Sequence, residues 1–250
     1  MASAQQLWTS VRREAEAIAA IDPVLAPSLA ASILDHPGLG PALARQIGQR
    51  LGMRAEDRAL FSRTASEAYA AAPELVEVAG LDLQGIVDHD PATTALLPPL
   101  LNFKGFVALQ AWRISNRLWQ HGRTDLALLM QSASSERLQV SIHPSARIGA
   151  GVFLDHGSGI IVGALSDIGD DVTIMQNVTI GRKPEDPTRA PRIGRGVLLS
   201  SGASVIGDIS IGDFARIGAG AVVTQDVPAG CTAVGVPARL TNCPEDTIPA

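Results

Sequence analysis

Aliphatic side chains recur at every sixth position between residues 142 and 223. A helix repeats its apolar positions with a period near 3.6 and a half-buried strand with a period of 2, so neither explains six. A chain that turns a corner every six residues does, and three flat sides then close a triangular coil around an aliphatic column. The positions are Ile142, Ile148, Leu154, Ile160, Ile168, Ile174, Ile180, Ile193, Leu199, Val205, Ile211, Ile217 and Val223.

The repeat is interrupted twice. Two extra residues appear between Ile160 and Ile168, and thirteen steps separate Ile180 from Ile193 where six would suffice. The second stretch, residues 181–192, is polar and proline-rich, which predicts a loop outside the column. Long loops on repeat scaffolds often carry binding groups, and four basic side chains here favour an anionic ligand. A tolerated surface insertion is the alternative.

Residues 1–138 show a different, helical periodicity. Apolar residues spaced three or four apart, with helix-ending signals such as Gly122, predict an all-helical domain that covers the open end of the coil and contributes to assembly. The predicted helical segments lie around Leu7–Ile18 and Leu43–Leu51, then at Glu74–Asp88, Pro98–Gln120 and Asp125–Arg137. Residues 139–250 form the second predicted domain, with the loop at 181–192 and a C-terminal tail.

Composition narrows the class of protein. The net charge is −5 and basic residues do not cluster, which argues against nucleic-acid and anionic-membrane partners. The N-terminus lacks the pattern of a secretory signal and no apolar run reaches membrane-spanning length, so a cytoplasmic protein is expected. Two cysteines, Cys231 and Cys243, are expected to form neither a disulfide framework nor a metal site.

One histidine stands out as a candidate for chemistry. His156 lies inside the coil repeat, beside Asp155 and close to glycines. Histidine titrates near neutrality and can remove a proton from an alcohol or amine. A corner histidine bonded to backbone is the equally weighted alternative. His143 and His156 have no nearby third ligand, so a metal site is not expected.

Several segments resemble hallmarks of the serine O-acetyltransferases, in the hexapeptide-repeat acyltransferase superfamily. They are Asp90–Ala92, Phe103–Phe106, Ile142–Pro144, Leu154–His156 and Gly235–Arg239. The resemblance implies an α+β chain in which an all-helical N-terminal domain precedes a left-handed parallel β-helix. It also implies acetyl-CoA as acyl-donor substrate, no metal, and packing as a homotrimer or a hexamer made of two trimers, with active sites between subunits.

The resemblance assigns roles to individual residues. His156 matches a general base for direct acyl transfer to the hydroxyl of L-serine, and Asp90 (with Pro91) and Asp155 match carboxylates that hold the acceptor. Arg189 matches the arginine that binds the acceptor carboxylate, as a guanidinium fork can. The predicted CoA contacts are Gly181, Ser201, Gly202, Ala203, Gly218, Ala219 and Arg239.

Three departures from the family pattern surround the acceptor site. Ser141 replaces an aspartate that orients the base, Ala190 replaces a histidine, and residues 181–184 replace a glycine-rich run. Ser141 is therefore counted as a weaker catalytic partner. Asp155 is not expected to substitute, because consecutive strand residues point to opposite sides.

Three functions follow from these observations. The first is an acetyl-CoA-dependent O-acetyltransferase acting on L-serine. The second is a CoA-dependent acyltransferase for a different small amino-acid-like alcohol or amine, and the third is a non-catalytic regulatory or assembly paralogue. The chain ends in Ala250 and not isoleucine, which makes a complex with cysteine synthase doubtful.

Overall fold

A computed structural model describes residues 2–183, 185–186 and 188–244. The prediction about the C-terminal residues, including Ala250, falls outside this part of the chain. In the described residues, helices end at Leu138 and the first strand begins at Val140. The division into two domains at this point stays a prediction.

The first half of the chain is helical, as predicted. A short 3₁₀ turn and a π-helical turn flank the second helix, and the fourth helix was not anticipated because its apolar face is weakly patterned. The helices are α1 (Ala4–Ile21), α2 (Ala26–Leu29), α3 (Leu39–Leu51), α4 (Ala55–Ala71), α5 (Glu74–His89), α6 (Leu97–Asn102), α7 (Lys104–Gln120) and α8 (Thr124–Leu138).

One helix predicted as continuous is divided. The segment Pro98–Gln120 breaks at Phe103, whose backbone is extended with φ −82° and ψ 105°, and this residue separates α6 from α7. The break lets α7 start directly against the coil, where a side chain on Gly105 would collide with the carbonyl of Leu154. Gly122 has φ +77° just beyond α7, which confirms the predicted helix end.

The second half is a coil of short parallel strands in three sheets. They are β1 (Val140–Ile142), β2 (Arg147–Ile148), β3 (Phe153–Leu154), β4 (Ile160–Val162), β5 (Asp167–Ile168), β6 (Thr173–Ile174), β7 (Thr179–Gly181), β8 (Arg192–Ile193), β9 (Leu198–Leu199), β10 (Ser204–Ile206), β11 (Ser210–Ile211), β12 (Arg216–Ile217), β13 (Val222–Val223), β14 (Thr232–Val234) and β15 (Arg239–Thr241). The first sheet runs β1-β4-β7-β10-β13, the second β2-β5-β8-β11 and the third β3-β6-β9-β12-β14, with β15 antiparallel to β14.

This parallel β-helix confirms the predicted fold class. Of the thirteen aliphatic repeat positions, all are buried except Ile148, which is partly buried against the same core. Each strand stacks on the equivalent strand of the next coil, so the column is continuous. No helix among the described residues is long and apolar enough to cross a membrane.

The strand register relocates the first interruption. Ile142 pairs with Val162, and Val162 with Ile180, so Val162 and not Ile160 occupies the column position. The two extra residues therefore precede Ile160, in the turn 155–159, and the placement between Ile160 and Ile168 was wrong. Ile160 is also buried and apolar, which is why hydrophobicity alone could not distinguish the two positions.

The expectation for the cysteines was also wrong. Cys231 and Cys243 form a disulfide, with their Cα atoms 4.1 Å apart. They flank the hairpin of β14 and β15, in which Thr232 pairs with Thr241. Spacing along the chain did not reveal this hairpin, because its return strand lies outside the hexapeptide repeat.

Candidate active site

Two edges of the triangular coil carry most of the predicted site residues. Along the first edge, which we call the His156 edge, lie the turns that join the third sheet to the first: residues 155–159, 175–178, 200–203 and 218–221. Along the second, the Arg189 edge, lie the turns that join the first sheet to the second: residues 143–146, 163–166, 182–191 and 207–209.

The turn 155–159 adopts a backbone that most residues avoid. His156 has φ +56°, and Gly157 and Gly159 have φ +63° and +69°. The two glycines accept this left-handed conformation without a steric penalty, whereas a histidine does so at a cost. The result is a side chain that is 68% exposed at the edge of the coil.

A cavity of about 840 Å³ opens beside this turn, between the coil and the helices. Asp90, Asp155 and His156 all line it. Asp90 is the C-cap residue of α5, directly after His89. Helix α5 and the coil therefore bring together two carboxylates that lie far apart in the sequence. The cavity is the feature that unites three of the predicted site residues in one chain.

The Asp90 carboxylate is oriented by its own turn. Its Oδ1 accepts a hydrogen bond from the Ala92 amide at 2.9 Å, and its Oδ2 accepts one from the Thr93 hydroxyl at 2.7 Å. Pro91 lies between them and is exposed. These bonds leave each oxygen with a free lone pair, so the carboxylate can still receive a donor from a ligand.

Asp155 lies closer to the histidine than expected. Its Oδ1 is 3.8 Å from His156 Nε2, so the expectation that the two side chains point apart was wrong. The left-handed backbone of His156 ends the strand alternation on which that expectation relied. The distance is too long for a hydrogen bond but places a negative charge beside the imidazole.

Ser141 does not line this cavity. It lies on β1, where its hydroxyl accepts a hydrogen bond from Gln131 Nε2 at 3.3 Å. Its role as a partner of His156 stays a prediction.

Thr93 and Lys104 are among the cavity-lining residues that the predicted site did not include. Thr93 orients Asp90, and Lys104 adds a positive charge at the start of α7, where its Nζ donates to Gln139 Oε1 at 3.3 Å. A cation at a helix N-terminus opposes the helix dipole. That local conflict is the feature of the sequence that could have drawn attention to Lys104.

Three further turns stack beyond the turn of His156 along the same edge, and the two more distant ones, residues 200–203 and 218–221, consist of small residues. The amide of Asn177 donates to the Ser158 carbonyl at 2.7 Å, that of Gly202 to Gln176 at 2.9 Å, and that of Gly220 to Ser201 at 2.9 Å. With coils about 4.8 Å apart, these turns form a track leading away from His156.

Most of the predicted CoA contacts lie along this track. Ser201, Gly202 and Ala203 belong to one of its turns, and Gly218 and Ala219 to the next. Arg239 pairs with Val234 in the hairpin at the end of the coil. Val234 lies against Gly218, since a Cβ on that glycine would be 2.8 Å from the valine side chain.

Gly181 and Arg189 lie elsewhere: Arg189 is on the Arg189 edge, and Gly181 immediately precedes that edge. Gly181 ends β7, and its carbonyl accepts a hydrogen bond from the Gly207 amide at 2.9 Å. Arg189 lines a separate cavity of about 520 Å³ together with Ala190 and Arg192. Within one chain, the structure therefore does not bring Arg189 to His156.

Acidic residues hold the arginines of this second cavity. Arg189 Nη1 donates to Asp208 Oδ2 at 3.0 Å and Arg192 Nη1 to Asp208 Oδ1 at 2.9 Å. These hydrogen bonds, from Arg189 first and then Arg192, lower the pKa of the Asp208 carboxyl below its ordinary value. The Arg189 guanidinium remains largely exposed, which leaves donors available for a ligand.

His143 occupies the first turn of the Arg189 edge. Its Nδ1 lies 2.8 Å from the Ser145 hydroxyl, and its ring packs edge-on against Trp119 with centroids 5.2 Å apart. Burial, followed by the positive charge of Arg182, lowers the pKa of the imidazole. Among the residues described, no group of three or more histidine, cysteine, aspartate or glutamate side chains could hold a metal ion.

Comparisons with known proteins agree with this architecture. The family model described as "Serine acetyltransferase, N-terminal" matches residues 7–111, and that described as "Bacterial transferase hexapeptide (six repeats)" matches residues 190–225. A serine acetyltransferase of Salmonella typhimurium is 42% identical over 245 residues, covering 98% of this chain and 90% of that protein.

Solved structures are similarly close. Serine acetyltransferase of Brucella abortus in complex with coenzyme A is 40% identical with a TM-score of 0.90, covering 95% of this chain and 97% of that one. Soybean serine acetyltransferase complexed with serine is 39% identical with a TM-score of 0.91, covering 95% and 98%. The resemblance drawn from the sequence is thereby confirmed, and the chain belongs to the serine acetyltransferase family of acyltransferase enzymes.

Proposed function

We propose that this enzyme transfers the acetyl group of acetyl-CoA to the hydroxyl of L-serine. The observation that carries the proposal is the single cavity in which Asp90, Asp155 and His156 meet, at one end of the track of stacked turns. Structures of related proteins have been solved with coenzyme A and with serine. The carboxylates of Asp90 and Asp155 and the imidazole of His156 suit a small zwitterionic acceptor.

His156 acts as the general base. Its imidazole removes the proton of the acceptor hydroxyl while the hydroxyl oxygen attacks the thioester carbonyl. The carbon–sulfur bond then breaks, and the imidazolium returns the proton to the departing CoA thiolate. Because the acetyl group passes directly to the acceptor, the protein needs no nucleophile of its own. The nearby Asp155 carboxylate stabilises the imidazolium that forms, 3.8 Å away in the free chain.

The acceptor is held by charge at both ends. Its ammonium group binds Asp90 and Asp155, which line the same cavity. Its carboxylate binds Arg189, whose exposed fork can donate two parallel hydrogen bonds. The division of these groups between two edges of the coil then requires a second protomer to supply the arginine.

The active assembly is accordingly a homotrimer at least. Three coils around a threefold axis can place the Arg189 edge of one protomer against the His156 edge of the next, which a single chain cannot do for itself. CoA lies along the track on the His156 edge, beside the small-residue turns at Ser201–Ala203 and Gly218–Ala219, with Arg239 near its phosphates. Pairing of two trimers through the helices would give a hexamer.

A larger acceptor is the second candidate. Ala190 lines the cavity beside Arg189 with a single methyl group, where the family pattern has histidine, and this leaves room for an extra methylene. Homoserine is the simplest acceptor to fill it.

A steady-state assay tests both candidates. Release of free CoA thiol is followed with acetyl-CoA and, separately, serine, homoserine and an amine acceptor of similar size. We expect serine to give the highest kcat/KM of the three acceptors. Turnover with homoserine but not serine would favour the second candidate, and no turnover with any acceptor would favour a non-catalytic protein.

A further inference from the structure

A buried ion pair lies between the helices and the coil, away from the cavity. Asp82 on α5 is fully buried and Arg113 on α7 is 7% exposed. The pair is bidentate: Arg113 Nε donates to Asp82 Oδ2 at 2.7 Å and Nη2 donates to Oδ1 at 2.8 Å. Gln110 Nε2 adds a third donor to Oδ2 at 2.9 Å. The geometry therefore fixes α5 and α7 relative to each other in both distance and rotation.

The same two side chains also bind the backbone of the coil. Arg113 Nη2 donates to the Gly149 carbonyl at 2.7 Å, and the amide of Val152 donates to Asp82 Oδ1 at 3.2 Å. These contacts lie on either side of the corner between β2 and β3. The ion pair thus joins three elements at one point.

From the ion pair, α5, α7 and the coil each continue to one wall of the cavity that contains His156. Asp90 lies eight residues after Asp82, about 12 Å along α5. Lys104 lies nine residues before Arg113, at the start of α7, and Asp155 lies three residues after Val152 in β3 and its turn. The cavity walls consequently share one rigid junction.

Close packing between helices and coil makes this junction intolerant of movement. A Cβ on Gly85 of α5 would be 2.7 Å from the Gly151 carbonyl oxygen, and a Cβ on Gly157 would be 2.9 Å from the Cα of Gly105. The helices therefore rest directly on the coil backbone above and beside the cavity. A small shift at the ion pair changes the separation of the cavity walls.

We propose that Asp82 and Arg113 are positioning residues that set the affinity of the cavity for the acceptor amino acid. Neither touches the acceptor. Their directional bonds hold Asp90 at the distance from Asp155 at which both carboxylates reach one ammonium group. This inference rests on the proposed function, because it takes Asp90 and Asp155 as the ammonium ligands. The track for the acyl donor lies on coils beyond the junction and does not depend on it.

The test replaces the pair with apolar groups. A double variant, Asp82→Leu with Arg113→Met, leaves no buried charge unpaired and keeps a packed core. We expect it to fold while kcat/KM for serine falls about 10²-fold, as for other small misplacements of an acceptor. KM for acetyl-CoA should stay at the native value. Arg113→Lys keeps the charge but loses the fork, and should show the same selective loss.

Ile33→Ala is the matched control, because Ile33 is fully buried in the helical region and away from the junction. It should lower the melting temperature without raising KM for serine. The proposal is overturned if the double variant folds with native kcat/KM for serine, if Arg113→Lys is fully active, or if affinities for serine and acetyl-CoA fall equally.

A second measurement does not depend on turnover. Hydrogen exchange at the amides of residues 90–96 and 103–107 should be faster in the folded double variant than in the native chain, while exchange in β9 to β13 stays unchanged. Native protection in both segments would also overturn the proposal. If the native chain fails to acetylate serine, the proposed function is refuted. Hydrogen exchange would still show whether the ion pair holds the cavity walls in place.

Discussion

The two interruptions of the coil differ in length and in the way they are held. The turn 155–159 adds two residues, has a left-handed backbone at His156, and packs against Gly105 of α7. The loop 182–191 adds seven residues, and its exposed Arg189 is bound to the carboxylates of Asp208 and Asp186. The short insertion is held by backbone geometry and packing, and the long one by ion pairs.

This difference matches the two tasks proposed for them. A general base must be held within a fraction of an ångström of the proton that it removes, which a tight turn under a helix achieves. Recognition of a carboxylate tolerates more freedom, because a guanidinium fork aligns itself with its partner. We therefore expect changes in the turn to affect the chemical step and changes in the loop to affect acceptor binding.

The largest effect is expected at the base itself. His156→Asn should lower kcat by about 10²–10⁴, because the proton acceptor is lost while asparagine tolerates the left-handed backbone. The measurement is steady-state thiol release with serine and acetyl-CoA. His143→Asn, in the other edge of the coil, is the control and should remain active. Equal activity losses in the two variants would contradict the assignment of His156.

The contact between the turn and α7 comes next. Gly157→Ala should lower kcat/KM for serine about 10²-fold, since the new Cβ meets Gly105 and displaces the turn. Gly122→Ala is the matched control: it has a similar positive φ, and a Cβ there meets nothing within 4 Å. Both should lose stability by about 1–2 kcal/mol in thermal or denaturant unfolding. The account is wrong if both also lose activity to the same extent.

The loop should show a smaller effect on binding. Arg189→Ala should raise KM for serine about 10- to 100-fold, because one charged hydrogen-bonding partner of the acceptor carboxylate is lost. KM for acetyl-CoA and the melting temperature should change little. Arg192→Ala serves as the control, because native Arg192 donates to the same carboxylate, Asp208, as Arg189. An equal rise in KM for both variants would indicate a structural effect of the Asp208 cluster.

The smallest effect concerns pH and stability. The folded-state pKa of His143 is lowered, so the folded chain binds fewer protons there than the unfolded chain. Its contribution to stability is therefore complete above the unfolded pKa of about 6.5 and declines as pH falls below it. The melting temperature of the native chain should fall as the pH is lowered from 7.5 to 5.5. It should fall less steeply in His143→Gln. Identical slopes in the two proteins would remove His143 as the cause.

The repeat was readable from the sequence because burial and periodicity coincide in it. One aliphatic residue per side is a geometric requirement of the coil, and Ile174, Ile180 and Leu199 meet it with no exposed surface. The helices were harder to place. The break at Phe103 depends on where α7 meets the coil, which local helical propensity does not contain.

The candidate site was recovered in part, for physical reasons. Asp90, Asp155 and His156 were identified and do share a cavity, whereas the approach of Asp155 to His156 depends on a positive φ that strand alternation conceals. The disulfide and the junction at Asp82 were missed because both are long-range contacts made by the fold. Sequence spacing carries no signal for such pairs.

Mixing two impaired variants tests the division of labour between the edges most directly, when activity is measured at a serine concentration well below the native KM, where the raised KM of Arg189→Ala also lowers the rate. His156→Asn and Arg189→Ala chains are unfolded together in equal amounts under reducing conditions, refolded and assayed for serine acetylation. If each site takes its turn from one protomer and its loop from another, about one quarter of the sites regain both native residues, and activity returns to about that fraction. If both residues act within one chain, no site is restored, and activity no higher than that of the separate variants would contradict the account.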